Sequence, residues 1–504
     1  MTGMETLKTI HPEFLSLSSD QIALLMPYFI VFGGTVLAML AAVMKTIQPK
    51  WPVFMLSVAT VTAGFCFSVG LLGHESTSLF NGMMVIDRFS NFFNLIFLAS
   101  AGLTILASFR YLDREKIQHP EYYILVLFSA LGMMLMASAQ DLIIVFISLE
   151  IMSLAVYTLV GFRRADRRSN EAAMKYFILG SVASAVLLYG AALLYGATGS
   201  VNLHEIFRHV QANTSHLTPV FALGAWLVIL GFLFKVASVP FHMWMPDVYE
   251  GAPTPVTGFM TTGLKAAAFA TFVRVFISMG YGHGLSEAIQ THIHGILWVS
   301  AVLTMTVGNL VALTQTNLKR MLAYSSIAHT GYLLVGLLAG AQSEQGYGPV
   351  VLYLVAYSVM NLGAFLVLSI LGSRDDSGLN LQDMAGLSRR HPWIALSMAV
   401  FMFSLAGIPP TAGFVAKYLL FYSAIQAHEV LLVVIAVLCS AISVYYYLRV
   451  LVYMYMRDPV ESPSGSRASA WAALAVAAMV FMTLQIGVLP QRMVVAATKA
   501  VTSL

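Results

Sequence analysis

The chain has 504 residues, of which 59% are hydrophobic and only 10% charged, with a formal net charge of +4 and a mean hydropathy of +0.80. A soluble domain carries about 25% charged residues, so this composition excludes a soluble globular protein and predicts a polytopic membrane protein. The apolar runs are continuous and lack the alternation of a transmembrane β-barrel, which favours helices. At about 20 residues per span, the chain has room for about fourteen transmembrane helices.

The hydrophobic segments predict the spans in chain order. Most connections between them are short and leave no room for a separate soluble domain. The predicted spans are 21–44, 52–72, 89–109, 121–138, 141–161, 171–197, 218–247, 254–281, 294–314, 320–340, 348–372, 393–425, 429–455 and 469–489.

Proline interrupts two of these spans. Span seven breaks at KVASVPFHMW and span twelve at SLAGIPPTAGF. They stand five places apart in the span order and would run in opposite directions, which is typical of inverted repeats. Lys235 precedes its proline whereas Lys417 follows its own, so the match is imperfect and the sequence leaves the repeat open.

The same two lysines lie inside otherwise apolar segments. Lys235 comes five residues before Pro240, and Lys417 eight residues after Pro409. A charge at the bilayer centre costs about 3 kcal/mol on insertion scales, so it is rarely kept without a use. Because proline also frees backbone groups, these lysines indicate polar cavities at mid-membrane depth where protons or ions move.

A carboxylate lies near the middle of span five. Glu150 is about ten residues from each end of the span, or about 15 Å, so it cannot reach water by extending along the helix. It must pair, bind a proton or face a wet cavity. We expect Lys235 to be its partner, because an acid–base pair lowers the cost of burying both groups. The alternative is an ion pair that only fixes helix packing.

Lys265 in span eight lies in FMTTGLKAAAFATFVRVF, where the alanines allow close helix approach. A carboxylate that moves relative to a buried ammonium changes how readily the ammonium keeps its proton, which is a way to load and release one. The alternative is a charge bonded to free carbonyls of a broken neighbouring helix. Lys417 shares both interpretations, with access to the outer surface as a third.

Two further titratable side chains are candidates for a proton path. Lys175, five residues into span six, either takes part or extends to the cytoplasmic surface. His329, near the middle of span ten, can exchange protons near neutral pH, or else only packs. By contrast, we expect Arg274 in span eight to extend outward as a structural residue. Asp141 is expected either to cap span five or to be a surface entry group.

The sequence shows no machinery for redox chemistry. Cys66 and Cys439 lie in apolar runs and form neither a CxxC pair nor a metal-binding spacing, so we expect no Fe–S cluster or zinc. No GxGxxG, P-loop or haem-attachment pattern stands in a suitable context. We therefore expect this chain to bind no cofactor.

Basic residues outside the spans fall mostly on one side of the membrane. The other side holds only Lys8, Arg88, Arg208, Arg492 and Lys499. The positive-inside rule assigns the richer side to the cytoplasm. Both termini are then expected to face outward, consistent with an even number of spans.

Five long segments resemble one known family, in the order in which they occur there, across essentially the whole chain. They are LEIMSLAVYTLVGF, EAAMKYFILGSVASAVLLYGAALLYG, FKVASVPFHMWMPDVYEGAPTPVTGFM, LKRMLAYSSIAHTGYLLVG and SLAGIPPTAGFVAKYLLF. They are similar to the antiporter-like membrane subunits of respiratory complex I. Only 14 residues follow Pro490, too few for the long lateral helix of one paralogue, and Lys417 stands where another usually has Glu.

The resemblance implies an all-α fold of about fourteen transmembrane helices. Spans four to eight and nine to thirteen would form two inverted five-helix repeats, with helices 7 and 12 broken. The chain would then divide into 1–120, 121–281, 282–455 and 456–504. Glu150, Lys235, Lys265 and Lys417 would form a central proton-conducting axis, to which we add Lys175 and His329 from the residue analysis.

The resemblance also implies the surroundings of the chain. FMN and Fe–S clusters would be bound by partner subunits of the peripheral arm, and quinone by other subunits. The expected partners are neighbouring antiporter-like and small membrane subunits and membrane lipids, with no nucleic acid. The expected location is the bacterial inner membrane.

Three functions remain open from the sequence. The leading hypothesis is a proton-translocating subunit of NADH-quinone oxidoreductase, with electron transfer in other subunits. The alternative is a subunit of a multisubunit cation/proton antiporter, a related family with the same span-seven lysine and broken helices. A third is a structural membrane subunit whose buried charges only lock packing.

Overall fold

The computed structural model describes residues 18–44, 50–213, 217–282, 285–459 and 469–504, so Lys8 lies outside the described residues. These residues form helices and one short hairpin, β1 (Thr77–Leu79) paired antiparallel with β2 (Met84–Ile86). The α-helices are α1 Ser19–Val43, α2 Lys50–Gly70, α3 Arg88–Arg114, α4 Glu121–Ser138, α5 Leu142–Val160, α6 Arg167–Thr198, α7 Leu203–Ala212, α8 Pro219–Lys235, α9 Trp244–Gly251, α10 Thr254–Phe259, α11 Lys265–Ser278, α12 Glu287–Thr314, α13 Leu318–Gly340, α14 Gly348–Leu371, α15 Leu387–Arg390, α16 Pro392–Ala406, α17 Ala412–Gln426, α18 Val430–Met456, α19 Ala470–Val488 and α20 Gln491–Val501.

The fourteen predicted spans correspond to twelve continuous helices together with spans seven and twelve, which are each broken into shorter helices. Within the described residues, twelve helices are long and apolar enough to cross a membrane. One of them, Thr254–Ser278, consists of α10, a π-helical turn at Met260–Leu264 and α11. Spans seven and twelve are broken as predicted, the first into α8 and α9 and the second into α16 and α17.

Neighbouring hydroxyls satisfy the backbone of span seven where it breaks. The Val239–Pro240 peptide is cis, as is Pro409–Pro410 in span twelve. Thr330 Oγ1 donates to the carbonyl of Val236 at 2.8 Å, and the amide of Val239 donates to Thr304 Oγ1 at 2.9 Å. Irregular backbone at membrane depth is tolerated only where such partners bury it in protein. The break is therefore stabilised by side chains of α12 and α13.

The segments that contain the two broken spans share a second feature. Asp141 caps α5 by accepting from the amides two and three residues later, as predicted, and pairs with Asn202 in an isolated antiparallel bridge. Asn317 caps α13 in the same manner and pairs with Asn380. The offsets between equivalent residues are 176 (317 − 141) and 178 (380 − 202). The second segment thus repeats the first.

The two capped bridges lie at opposite ends of the helix bundle. At the start of α3, Met84 pairs with Ala139 beside the cap of α5. At the end of α3, Tyr111 donates to Asp376, which also binds Lys319 beside the cap of α13. The 27 residues of α3 span about 40 Å. A unit repeated at opposite ends of a bundle is inverted, which decides the question that the sequence left open.

Arg274 does not extend outward, so that prediction is wrong. Its Nη2 donates to Asp87 Oδ2 at 2.9 Å, and the two side chains are 3% and 0% exposed. Asp87 also caps α3 by accepting from the amide of Ser90 at 2.7 Å. The guanidinium of Arg274 stays inside the bundle because the buried Asp87 carboxylate pairs with it and accepts its hydrogen bonds. Extension toward the surface would break these bonds.

We expect Arg274→Met to destabilise the protein by about 3–5 kcal/mol, because it leaves Asp87 buried without its countercharge. Adding Asp87→Asn should recover part of this loss. The measurement is the midpoint of thermal unfolding of the purified protein in detergent. Arg208→Met is the matched control, since its pair with Glu205 is exposed. Equal losses in the Arg274 single and double variants would contradict the ion-pair account.

Candidate functional site

Lys235 lies at the break of span seven and points at α5. It is the last residue of α8 and is 8% exposed. Its Nζ donates to Ser153 Oγ at 3.1 Å and to Tyr157 OH at 3.3 Å. The ring of Tyr157 also lies 5.8 Å from Nζ. The ammonium is therefore held by neutral oxygens and an aromatic ring.

Glu150 shares a helix face with these two ligands but does not contact the lysine. The spacing of Glu150, Ser153 and Tyr157 is i, i+3, i+7 along α5. One carboxylate oxygen of Glu150, Oε1, is buried without a hydrogen-bond partner in the described residues. The predicted Glu150–Lys235 ion pair is not formed among them, because Ser153 and Tyr157 occupy the ammonium.

Lys265 lies deeper and is 4% exposed. Its Nζ donates to the carbonyl of Ser326 at 2.6 Å and to Ser326 Oγ at 2.5 Å, both on α13. The ring of Tyr357 on α14 lies 5.0 Å from Nζ. The π-helical turn at Met260–Leu264 directly precedes Lys265, and such turns are frequent at functional sites.

His329 lies between Lys265 and Lys417. Its ring centroid is 5.0 Å from that of Tyr357, which faces Lys265, and 5.6 Å from that of Tyr332. Tyr332 in turn lies 5.3 Å from the Nζ of Lys417. The histidine is 1% exposed, and both ring nitrogens are engaged: Nδ1 lies 2.6 Å from Tyr353 OH and Nε2 lies 3.3 Å from Tyr447 OH.

Lys417 binds backbone carbonyls that the break of span twelve leaves free. Its Nζ donates to the carbonyls of Leu405 and Ala406 at 3.0 and 3.1 Å, and to Ser440 Oγ at 2.9 Å. The carbonyls belong to the last turn of α16, where a broken helix leaves them without amide partners. Lys417 is 5% exposed, so it is buried rather than open to the outer surface.

One helix connects these sites. On α13, Thr330 Oγ1 donates to the carbonyl of Val236, next to Lys235, at 2.8 Å and lies 3.3 Å from the Ser326 carbonyl that accepts from Lys265. His329 is the adjacent residue, and the ring of Tyr332 lies between it and Lys417. The structure thus brings Lys235, Lys265, His329 and Lys417 together in one buried row that runs from one helix break to the other, with Glu150 at its first end.

Lys175 stands apart from this row. Its side chain is 42% exposed, and Nζ pairs with Glu171 at 2.8 Å and Asp247 at 2.9 Å. Asp247 also binds Arg320, which binds Glu250. Lys175 therefore belongs to an ion network near the end of the bundle where α13 begins.

The sequence reasoning missed the hydroxyl ligands of the row. Ser153, Tyr157, Ser326 and Ser440 are common residue types in apolar helices, and none stands out by composition. Two of them could have been predicted from helical spacing, because Ser153 and Tyr157 lie on the same face of α5 as Glu150. The described part of the chain holds no cluster of three or more His, Cys, Asp or Glu able to bind a metal ion.

Two broken spans and a row of buried lysines define an antiporter-like membrane subunit. Residues 139–443, which contain every candidate residue, match the family model described as NADH:quinone oxidoreductase/Mrp antiporter, transmembrane. NADH-quinone oxidoreductase subunit N of Trichlorobacter lovleyi is 46% identical over 444 residues, covering 88% of this chain and 89% of its own. Its counterpart from Myxococcus xanthus is 40% identical over 501 residues, covering 94% and 95%. The chain belongs to the NADH-quinone oxidoreductase subunit N family.

Solved structures agree with this assignment. A chain of respiratory complex I from Thermus thermophilus with bound aureothin is 36% identical, with a TM-score of 0.78 over 93% of this chain and 98% of its own. A chain of the Mrp complex from Dietzia sp. DQ12-45-1b has a TM-score of 0.82 over 95% and 97% at 20% identity, which shows a shared fold alone. The resemblance stated from the sequence is confirmed.

We expect loss of both hydroxyl ligands of Lys235 to destabilise the protein only while the lysine is present. In Ser153→Ala/Tyr157→Phe the buried ammonium loses two hydrogen bonds, each worth about 1.5–3 kcal/mol. In a Lys235→Met background the same pair of changes should cost much less. The melting midpoint of the assembled complex measures both, with Ser148→Ala on the same helix as the control. Equal costs in both backgrounds would show that Lys235 does not depend on these ligands.

Proposed function

We propose that this chain is a proton-translocating membrane subunit of NADH-quinone oxidoreductase. The single observation that carries the proposal is the buried row of Lys235, Lys265, His329 and Lys417 between the two helix breaks, with Glu150 at its first end. Membership of the subunit N family supports the assignment to this complex. Electron transfer from NADH to quinone would take place in other subunits.

The ligands of the lysines suit proton transfer better than locked packing. Among the described residues, Lys235, Lys265 and Lys417 are bonded to hydroxyl and carbonyl oxygens and to no carboxylate. A buried salt bridge would hold each ammonium in its charged form, whereas neutral oxygens leave its protonation sensitive to nearby charges. Moving the charge of Glu150, or of one lysine, then changes the protonation of the next.

His329 is suited to relay a proton between the second and third lysines. Neutral imidazole accepts at one nitrogen and donates from the other. Both nitrogens of His329 meet tyrosine hydroxyls, on α14 and on α18. Reorientation of these hydroxyls would pass a proton along without moving a helix. Lys175, with Asp247 and Arg320, would be the solvent-facing member of the path.

The arrangement in the membrane follows from the same proposal. The repeats would be residues 121–281 and 282–455, flanked by 1–120 and 456–504, and the offset of the two capped bridges supports this division. Both termini would face out of the cytoplasm of a bacterial inner membrane, as the distribution of basic residues indicates. Neighbouring antiporter-like and small membrane subunits and lipids would surround the chain. FMN, Fe–S clusters and quinone would be bound by other subunits, and this chain would perform no redox chemistry.

A cation/proton antiporter subunit is the second candidate. The observation that favours it is the family model, whose description covers Mrp antiporters as well as the quinone oxidoreductase. This function predicts proton flux driven by a sodium or potassium gradient in vesicles without NADH. If this gradient-driven proton flux is as fast as NADH-driven pumping, the chain is an antiporter subunit.

We expect Lys265→Met to lower NADH-driven proton pumping and, through tight coupling, quinone reduction at least about tenfold, because the variant removes the central proton carrier. Both are measured in inverted membrane vesicles containing equal amounts of assembled complex. Lys116→Met, at an exposed position outside the row, is the matched control. Normal pumping and turnover in an assembled Lys265→Met complex would reject the proposed function.

A further inference from the structure

Three side chains hold the backbone turn that joins broken span seven to span eight. Arg163 Nη2 donates to the carbonyl of Gly251 at 3.1 Å. Lys319 Nζ donates to the carbonyl of Ala252 at 2.6 Å, and Tyr111 OH accepts from the amide of Thr254 at 3.2 Å. The turn is thus fixed at three points by residues from three different parts of the chain.

All three side chains also converge on one carboxylate. Asp376 binds Tyr111 OH at 3.0 Å, Lys319 Nζ at 3.1 Å and Arg163 Nη1 at 3.3 Å. The side chains of Asp376, Lys319 and Arg163 are 4%, 2% and 6% exposed. This group, which we call the Asp376 cluster, contains none of the residues of the lysine row.

The backbone of the loop that supplies Asp376 is strained. Asp375 and Asp376 have φ values of 60° and 52°, in the left-handed region that residues with a side chain rarely adopt. Such strain costs about 1–3 kcal/mol per residue and persists only where surrounding contacts hold it. Here Glu115 accepts from the amide of Asp375 at 2.8 Å.

Asp376 is ionised under working conditions. Burial alone would raise its pKa, but Lys319 and Arg163 beside it hold the pKa below the usual value for aspartate. Since a depressed pKa keeps the carboxylate charged at every pH above it, Asp376 keeps its charge throughout the neutral range. Titration of Asp376 therefore does not contribute to pH effects near neutrality.

The cluster reaches the lysine row through span eight and α13. From Thr254 at the held turn, span eight is continuous helix to Lys265, eleven residues later. On α13, Lys319 and Ser326 are seven residues apart on one face, about 10.5 Å. Span eight is thus attached to α13 twice, at the turn through Lys319 and at Lys265 through Ser326. A shift of the turn moves Lys265 relative to its ligand.

We propose that Asp376 is a positioning residue for Lys265. By ordering Arg163, Lys319 and Tyr111 it fixes the turn that begins span eight, and with it the seating of Lys265 against Ser326. Asp376 lies in the loop that follows α14 in the second repeat, whereas the turn belongs to the first, so the cluster joins the two repeats. The inference rests on the proposed function, because positioning matters only if Lys265 transfers protons.

The first test measures the turn itself. Ala252 is 0% exposed, and Ala252→Cys in a chain with Cys66→Ser and Cys439→Ser is probed with N-ethylmaleimide in the assembled complex, with mass spectrometry of this chain as the readout. We expect slow labelling with Asp376 present and about tenfold faster labelling with Asp376→Asn, because bonds to a charged group are lost. Asp375→Asn is the matched control, since Asp375 is exposed and its backbone is equally strained.

The second test asks whether the effect reaches Lys265. Two titratable residues lie near Lys265: the ring of Tyr357 on α14 is 5.0 Å from its Nζ, and the ring of His329 on α13 is 5.0 Å from that of Tyr357. We expect Asp376→Asn to change the shape of the pH profile of NADH:quinone turnover, because the surroundings of Lys265 change. A purely structural loss lowers turnover by one factor at every pH.

The outcomes separate the two proposals. An assembled Asp376→Asn complex with slow labelling and a wild-type profile would overturn the positioning role, as would fast labelling with an unchanged profile. If Asp376→Asn fails to assemble, Tyr111→Phe, which removes one hydroxyl of the cluster and keeps the ring, is judged by the same two measurements. Normal turnover in Lys265→Met rejects the proposed function, and the labelling result still decides whether Asp376 holds the turn.

Discussion

The constraint on which this structure depends is the cost of placing ammonium groups inside a membrane without pairing them to carboxylates. A buried charge must be solvated by something, and a helix bundle in lipid has few free polar groups. Lys235, Lys265 and Lys417 meet this requirement with serine hydroxyls, backbone carbonyls and tyrosine rings. These ligands are neutral, so they bind each ammonium without cancelling its charge.

The broken helices are part of this solution. The carbonyls of a continuous helix accept from its own amides, although that of Ser326 in α13 also accepts from Lys265. A helix that ends inside the bundle leaves its last carbonyls without amide partners. Span twelve ends at Ala406 and gives its carbonyls to Lys417, while Lys235 ends the first half of span seven. At the break of span seven, the freed backbone groups bond to the side chains of Thr304 and Thr330 instead. The two breaks therefore serve the same row by different local arrangements.

The inverted repeat explains how one row can connect two such breaks. Equivalent caps, at Asp141 and Asn317, lie at opposite ends of the bundle, so equivalent helices run in opposite directions. The central helix α13 contacts the first break and carries His329 toward the second. The Asp376 cluster connects the repeats through an ion pair and a hydrogen bond of Lys319 near one end of the bundle.

The sequence by itself determined the membrane class, the number of spans, the broken helices and the identity of the buried lysines. Apolar length and the cost of intramembrane charge leave few alternatives for these features. Only the tertiary structure decided the partners. Lys235 binds Ser153 rather than Glu150, Arg274 pairs with Asp87 rather than extending outward, and Asp376 proved to be buried. Such pairings depend on which helix faces meet, and the partners stand 82 residues apart for Lys235 and Ser153 and 187 apart for Arg274 and Asp87. No local pattern in the sequence specifies contacts at such separations.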